Sequence, residues 1–260
     1  MNEVGRSIRE HILRCSYASG HGHMPTSFSV VELILATYSI MKHDPKNPKW
    51  EERDVFILSK GHAALGYYCV LAHLNYFSKK EVERFGAFNS LFGCHPDRLK
   101  VPGVEVSCGS LGHGINVGVG IALAFQIKKS PRRVFALIGD GESNEGTVWE
   151  SLMVASHLKL DNLTILFDNN RSQERCLPIH DPVAKFRAFG CTPIEVNGHD
   201  LEEVKAALKQ AVKGPKVIVG NTVKGYGCPT LVENVYEWHR KSPEEPSLKL
   251  LINELYEKTV

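Results

Sequence analysis

The chain has 260 residues, 43% of them hydrophobic and 23% charged, which is enough apolar material for a sizeable buried core. Thirty-one basic residues against 29 acidic ones leave a formal net charge of +2, a balance that gives no electrostatic footing for nucleic acid or a membrane surface as partner. The N-terminus, MNEVGRSIREH, lacks a signal-peptide core, and the uncharged stretch GSLGHGINVGVGIALAFQ is too rich in glycine and polar residues to span a bilayer.

In chain order, apolar periodicity predicts helices over about 3–18, 28–42, 61–75, 113–128, 146–158, 182–189, 200–213 and a C-terminal extension helix over about 246–258. Asp181-Pro182 starts the sixth of these and Gly190 ends it. Asp200 stands three residues before Glu203, the spacing of a capping box, and Gly214-Pro215 provides a stop. Short apolar runs between helices predict strands: VFIL (55–58), VFALI (134–138), LTILF (163–167), PIEV (193–196) and KVIVGNTV (216–223). None alternates polar with apolar, as a parallel sheet covered on both faces requires. The pattern predicts one domain over 1–260, an α/β fold with a doubly wound, mostly parallel sheet and helices on both faces. Crossovers should be right-handed, and a ligand should bind beyond the carboxyl ends of strands where the winding reverses.

Two of those strand ends carry chemistry. The second strand runs into Gly139-Asp140-Gly141, and the third into Asp168-Asn169-Asn170. The glycines permit a tight turn and close approach of a ligand, and a following helix would aim free N–H groups at a phosphate. Asp140 offers a charged oxygen and Asn170 a neutral one 30 residues later, an interval that covers one helix and one strand. Such ligands beside a diphosphate suit Mg²⁺, which keeps much of its shell outside the protein. Alone, either stretch reads as an ordinary turn or loop; at two strand ends together they favour a site. Of the 12 histidines, His11, His43, His73, His157 and His180 read as ordinary surface or core residues. His23, His62, His95 and His239 sit in Gly- or Pro-marked loops, where imidazoles can bind phosphate and move protons.

Gly139-Asp140-Gly141, 27 residues, then Asn169-Asn170 resembles the thiamine diphosphate signature. RDVFILSKGHAALGYYCVLA (53–72), HPDRLKVPGVEVSCGSLGHGINVGVGIALA (95–124), GDGESNEGTVWESLMVASHLKLDNL (139–163) and KGYG (224–227) before Trp238-His239 each resemble segments of the transketolase family, in the family's order. The resemblance implies thiamine diphosphate and Mg²⁺ as cofactors. It assigns the metal to Asp140 and Asn170 through side chains and to Ser172 through its carbonyl. It assigns the diphosphate to the Gly141 N–H, His62 and His239, with Gly139 and Glu142 in the same cofactor-binding loop. Gly109, Ser110 and Leu111 would line the aminopyrimidine edge. His23 and His95 would face substrate hydroxyls, and the four loop histidines together form the implied catalytic set. Glu145 would lie at a subunit contact.

Some positions depart from the family pattern. Pro25 stands where Gly is common, Cys94 where Gly precedes His95, and Cys108 where Thr is usual; His113 replaces a usual Gln, and SQERCLPIH (172–180) lacks the usual Gln-x-Asp-Gly. These bear on the substrate pocket and the cofactor loop more than on the metal ligands, and so on which donor and acceptor sugars are used. In the family a second, pyrimidine-binding domain supplies the glutamate that activates the cofactor, and Glu145 does not match that role. The resemblance therefore implies the N-terminal subunit of a split transketolase acting on sugars or sugar phosphates. A separate C-terminal subunit would be its partner, in a heterotetramer. The alternatives are the α-subunit of a 2-oxo-acid dehydrogenase, against which the Ser-Lys-Gly-His-Ala and His-Pro-Asp motifs argue, and a non-catalytic cofactor-binding or regulatory subunit. Seven cysteines without a C-x-x-C pair read as reduced, mostly buried thiols of a cytoplasmic protein.

Overall fold

In a computed structural model, which describes residues 1–257, the five runs form one fully parallel sheet. Its strands are β1 (Val55–Leu58), β2 (Val134–Gly139), β3 (Leu163–Asn169), β4 (Thr192–Asn197) and β5 (Lys216–Asn221), in the order β1-β2-β3-β5-β4. Successive side chains of a strand point to opposite faces, and here both faces are apolar. Phe56, Leu58, Phe135, Leu137, Leu166 and Ile218 enter one core. Val55, Ile57, Ala136, Ile138, Ile165 and Val219 enter the other. Burying one such side chain contributes about 1.5–3 kcal/mol, so a one-residue slip in register would forfeit both cores at once.

On the first face lie α1 (Glu3–Ser19), α2 (Met24–Ser29), α3 (Val31–Tyr38), α4 (Ala64–His73), α9 (Leu201–Lys209) and α11 (Ser247–Tyr256); α5 (Lys79–Val82) and α10 (Pro229–Glu233) are short connectors near them. The opposite face is covered by α6 (Gly114–Ile127), α7 (Gly146–His157) and α8 (Pro182–Ala188). The doubly wound expectation therefore holds. The strand order, however, advances from β1 to β3 and turns back only at β4 and β5, so the β2 and β3 ends lie beside the reversal rather than at it.

Local chemistry accounts for the boundaries. The helix expected over 28–42 is two helices, with Val30 between them, and it starts upstream because Pro25 fills the first turn of α2. The segment expected to begin at 61 opens with a 3₁₀ turn, Gly61–Ala63, before α4. Asp200 caps α9 by accepting from the Glu202 and Glu203 N–H groups at 3.0 Å, yet α9 ends at Lys209 because Gln210 is already extended (ψ 129°). A reciprocal capping box forms instead at Ser78 and Glu81, ahead of α5. The C-terminal extension helix ends at Tyr256, and residue 258 of its expected range lies outside the described residues. Five of the seven cysteines are buried and all are free; Cys94 and Cys176 are exposed. No helix among the described residues is long and apolar enough to cross a membrane.

Candidate active site

The strands β2 and β3 are hydrogen-bonded neighbours in which Gly139 sits opposite Asp168, so the two stretches that end them do meet. Asp140 follows β2 directly and is buried. Its carboxylate accepts the Gly141 N–H at 2.8 Å and the Gln173 N–H at 3.0 Å. Burial pushes its pKa up, while the Gln173 N–H and the Lys60 ammonium pull the other way. The Gly141 N–H, expected to face a diphosphate, is thus engaged by the carboxylate of the residue before it, a buried acceptor within immediate reach. Nor does a helix follow at once. A 3₁₀ turn, Glu142–Asn144, intervenes, and α7 begins only at Gly146.

Asn170 is also buried, and its hydrogen bonds fix the amide's orientation. Its NH₂ donates to Asp168 Oδ2 at 2.8 Å and to Ser29 Oγ at 3.3 Å. Its Oδ1 accepts from the Ser172 N–H at 3.1 Å and the Ser172 hydroxyl at 2.6 Å. Asp168 turns out to be no free ligand. It is wholly buried, takes an ion pair from Lys60 at 2.5 Å, and accepts hydroxyl protons from Ser29 and Thr222. A carboxylate with that many donors holds together the ends of β1, β3 and β5.

Above these strand ends lies a cavity of about 310 Å³. Gly139, Asp140, Gly141, Glu142 and Ser172 form one part of its wall, and His23, His62, His95 and His239 another; Gly109 and Leu111 complete the predicted set. Three imidazoles cluster, with the His23 ring 5.5 Å from His62 and 5.3 Å from His239. Burial is the main cause that holds all three neutral: His62 falls to about 2, helped by Lys60, and His23 and His239 each fall to about 4, helped by neighbouring cations and, for His23, by His239. His95 is exposed at the rim and packs beside Gly61, where a Cβ would collide with the Cys108 carbonyl and meet His95 Cδ2 at 3.1 Å. Glu142 is buried, with its pKa raised to about 7 by burial.

Three predicted residues do not line this cavity. Ser110 lies on an exposed loop, Asn170 faces the adjoining cavity beside Lys224, and Glu145 is exposed at the start of α7. His113 is exposed, 3.0 Å from the Leu111 carbonyl. Sequence reasoning missed Lys60, Gln173 and Arg240, which line the cavity, and Lys224, whose Nζ donates to His239 Nδ1 at 2.9 Å. Burial and Lys60 lower Lys224 to about 8, so it stays largely charged at neutral pH. For Lys60 the available signal was a charge two residues past an apolar strand; for Lys224 it was the loop KGYG. Cations and neutral imidazoles in one partly dry pocket suit an anion with a proton-moving role beside it.

A parallel sheet that turns a Gly-Asp-Gly strand end into such a pocket, with an Asn-bearing strand end hydrogen-bonded beside it, defines a diphosphate-binding domain of the thiamine-enzyme class. Residues 11–242 match the family described as transketolase, thiamine diphosphate binding domain, and the chain belongs to the transketolase family. It is 38% identical to one subunit of the apulose-4-phosphate transketolase of Actinobacillus succinogenes, over 98% of this chain and 95% of that one. It is 35% identical to the 6-deoxy-6-sulfo-D-fructose transketolase subunit SqwG of a Clostridium species, over 91% and 89% of the two chains. Among solved structures, the transketolase of Pichia stipitis in complex with sedoheptulose-7-phosphate superposes with a TM-score of 0.89 at 28% identity. That match covers 98% of this chain but 40% of the other, so the chain spans about two fifths of the solved transketolase.

Proposed function

We propose that the chain is the diphosphate-binding subunit of a two-chain transketolase, a transferase that moves a two-carbon ketol unit from a ketose or its phosphate to an aldose or its phosphate. The observation that carries this reading is the cavity in which Gly139-Asp140-Gly141 faces His23, His62, His95 and His239. Relatives matched over nearly their full length are named as transketolase subunits, which supports a separate partner chain.

Asp140 and Asn170, with the Ser172 carbonyl, would hold Mg²⁺. The donor set fits a hard cation, since a buried carboxylate with only backbone N–H partners and an amide oxygen turned away from Asp168 accept from consecutive N–H groups, Gln173 and Ser172, of one loop. Thiamine diphosphate, when bound, supplies the electron sink that lets a carbon–carbon bond be broken and remade. The chain's own residues bind, orient and move protons. His62 and His239 hold the diphosphate beside the Gly139-Asp140-Gly141 turn, aided by the charges of Lys60 and Lys224; Glu142 supports that loop, and Gly109, Ser110 and Leu111 form the edge toward the pyrimidine. His23 and His95 exchange protons with substrate hydroxyl and carbonyl oxygens, a role open to imidazoles.

The partner is a C-terminal subunit with a pyrimidine-binding domain. It docks where Glu145 opens α7 and where α6 and α7 leave Val117, Ile127, Met153 and Val154 exposed. Two such pairs make a heterotetramer, and free cysteines in the core suit a reducing cytoplasm. The test is to assay the purified chain for two-carbon transfer from xylulose 5-phosphate to ribose 5-phosphate, with and without candidate C-terminal subunits. The donor panel should include apulose 4-phosphate and 6-deoxy-6-sulfo-D-fructose. Activity only in the reconstituted pair is expected. Full activity of the lone chain, or pyruvate-dependent CO₂ release in place of ketol transfer, would overturn the reading.

A further inference from the structure

Far from the loop histidines, α1 carries His11 and Cys15 one turn apart, and α4 packs Cys69 against them. One ring nitrogen of His11 and the two Sγ atoms all lie within 4.8 Å of one another. Both cysteines are buried and free of any disulfide. The far side of the imidazole is fixed as well. His11 Nε2 lies 3.1 Å from the Lys79 carbonyl, which can only accept, so Nε2 carries the hydrogen and the neutral tautomer has its lone pair on Nδ1. Nδ1 is buried and has no hydrogen-bond partner. A metal-ligating histidine characteristically donates its other N–H to a carbonyl or carboxylate, which fixes tautomer and ring orientation. His11, read from the sequence as an ordinary histidine, therefore meets the requirements of a ligand.

We propose that His11, Cys15 and Cys69 form a binding site for one soft, monovalent d¹⁰ cation, cuprous copper, that clamps α1 to α4. Two thiolates and an imidazole match a soft ion. Structural zinc almost always takes four ligands, and among the described residues no further His, Cys, Asp or Glu joins this group. A three-donor set suits copper(I), for which trigonal coordination is ordinary. Binding leaves the oxidation state unchanged. Cys15 and Cys69 each release one thiol proton to solvent and His11 releases none, so the loaded site carries a net charge of −1. The helix α1 leads into the loop of His23, and α4 follows the turn of His62, so the clamp braces two walls of the cavity.

The test uses the full chain with its exposed thiols removed (Cys94→Ser, Cys176→Ser), reduced and free of oxygen, titrated with copper(I) against a chromophoric copper(I) chelator. One equivalent withheld from the chelator is expected, with X-ray absorption reporting two sulfur ligands and one nitrogen. Adding Cys15→Ser and Cys69→Ser should abolish retention while circular dichroism stays native. His11→Ala, which keeps both thiols, should weaken retention by about 10- to 100-fold. Copper(I) should raise the melting temperature of the background protein, since only the folded state holds the three donors together and so binds the ion more tightly than the unfolded chain does. No equivalent withheld, retention unchanged by the serine pair, or copper held by sulfur alone with His11→Ala indistinguishable from the background would each overturn the proposal.

Discussion

Replacing Glu142 by Gln should stabilise the protein, and only at neutral to alkaline pH. Glu142 is buried, one oxygen accepting from the Ser59 hydroxyl and from the Gly112 N–H at 2.9 Å, while its Oε2 is buried without a partner. Burial moves its pKa from 4.5 to about 7. Each tenfold change in proton affinity is worth about 1.4 kcal/mol, so the folded state carries a cost of about 3 kcal/mol once the group ionises. Between pH 4.5 and about 7 the folded chain binds more protons here than the unfolded one. This group's contribution is therefore intact below its unfolded pKa and is lost as pH rises through the folded pKa. Gln mimics the protonated acid and does not titrate. In urea unfolding followed by circular dichroism, E142Q and wild type should be nearly equal near pH 4.5, and E142Q should lead by about 3 kcal/mol at pH 8. The histidines are common to both proteins and cancel in the difference. A gap that does not grow with pH, or a wild type that gains on E142Q as pH rises, would refute the reasoning.

His95→Ala should cut kcat of the reconstituted enzyme far more than it weakens cofactor affinity, because His95 stands at the rim of the cavity; equal loss of both would move it to the cofactor's shell. Asp168→Asn should destabilise the chain by about 3–5 kcal/mol in urea unfolding, since it leaves the Lys60 ammonium buried without its counter-charge. A change within about 0.5 kcal/mol, the usual size for a surface substitution, would show that the pair does not hold the strand ends together.

The sheet was legible because each strand is a continuous apolar run between helices, and β1 matches its run residue for residue. The β3 run fell short because Asp168 and Asn169 are polar, yet they pair with Gly220 and Asn221 of β5. Periodicity sees side chains and cannot see that a buried carboxylate has found its partners in Lys60, Ser29, Thr222 and Asn170. The same blindness hid Lys60 and Lys224, whose meaning lies in contacts across 108 and 15 residues. The loop histidines were readable from their Gly and Pro surroundings together with the family likeness. The break at Val30 was not, because Pro25 shifts the start of α2 while the apolar pattern runs on unbroken into α3.

The most direct test of the account is calorimetric titration of thiamine diphosphate, with and without Mg²⁺, into the chain alone and in complex with its partner subunit. Wild type should bind with an affinity that depends on Mg²⁺. Asp140→Ala should lose that binding while keeping its circular dichroism, because the residue lies on the turn after β2 rather than in either apolar core. Cofactor affinity unchanged in the Asp140→Ala protein, with the same response to Mg²⁺, would contradict the assignment of this pocket.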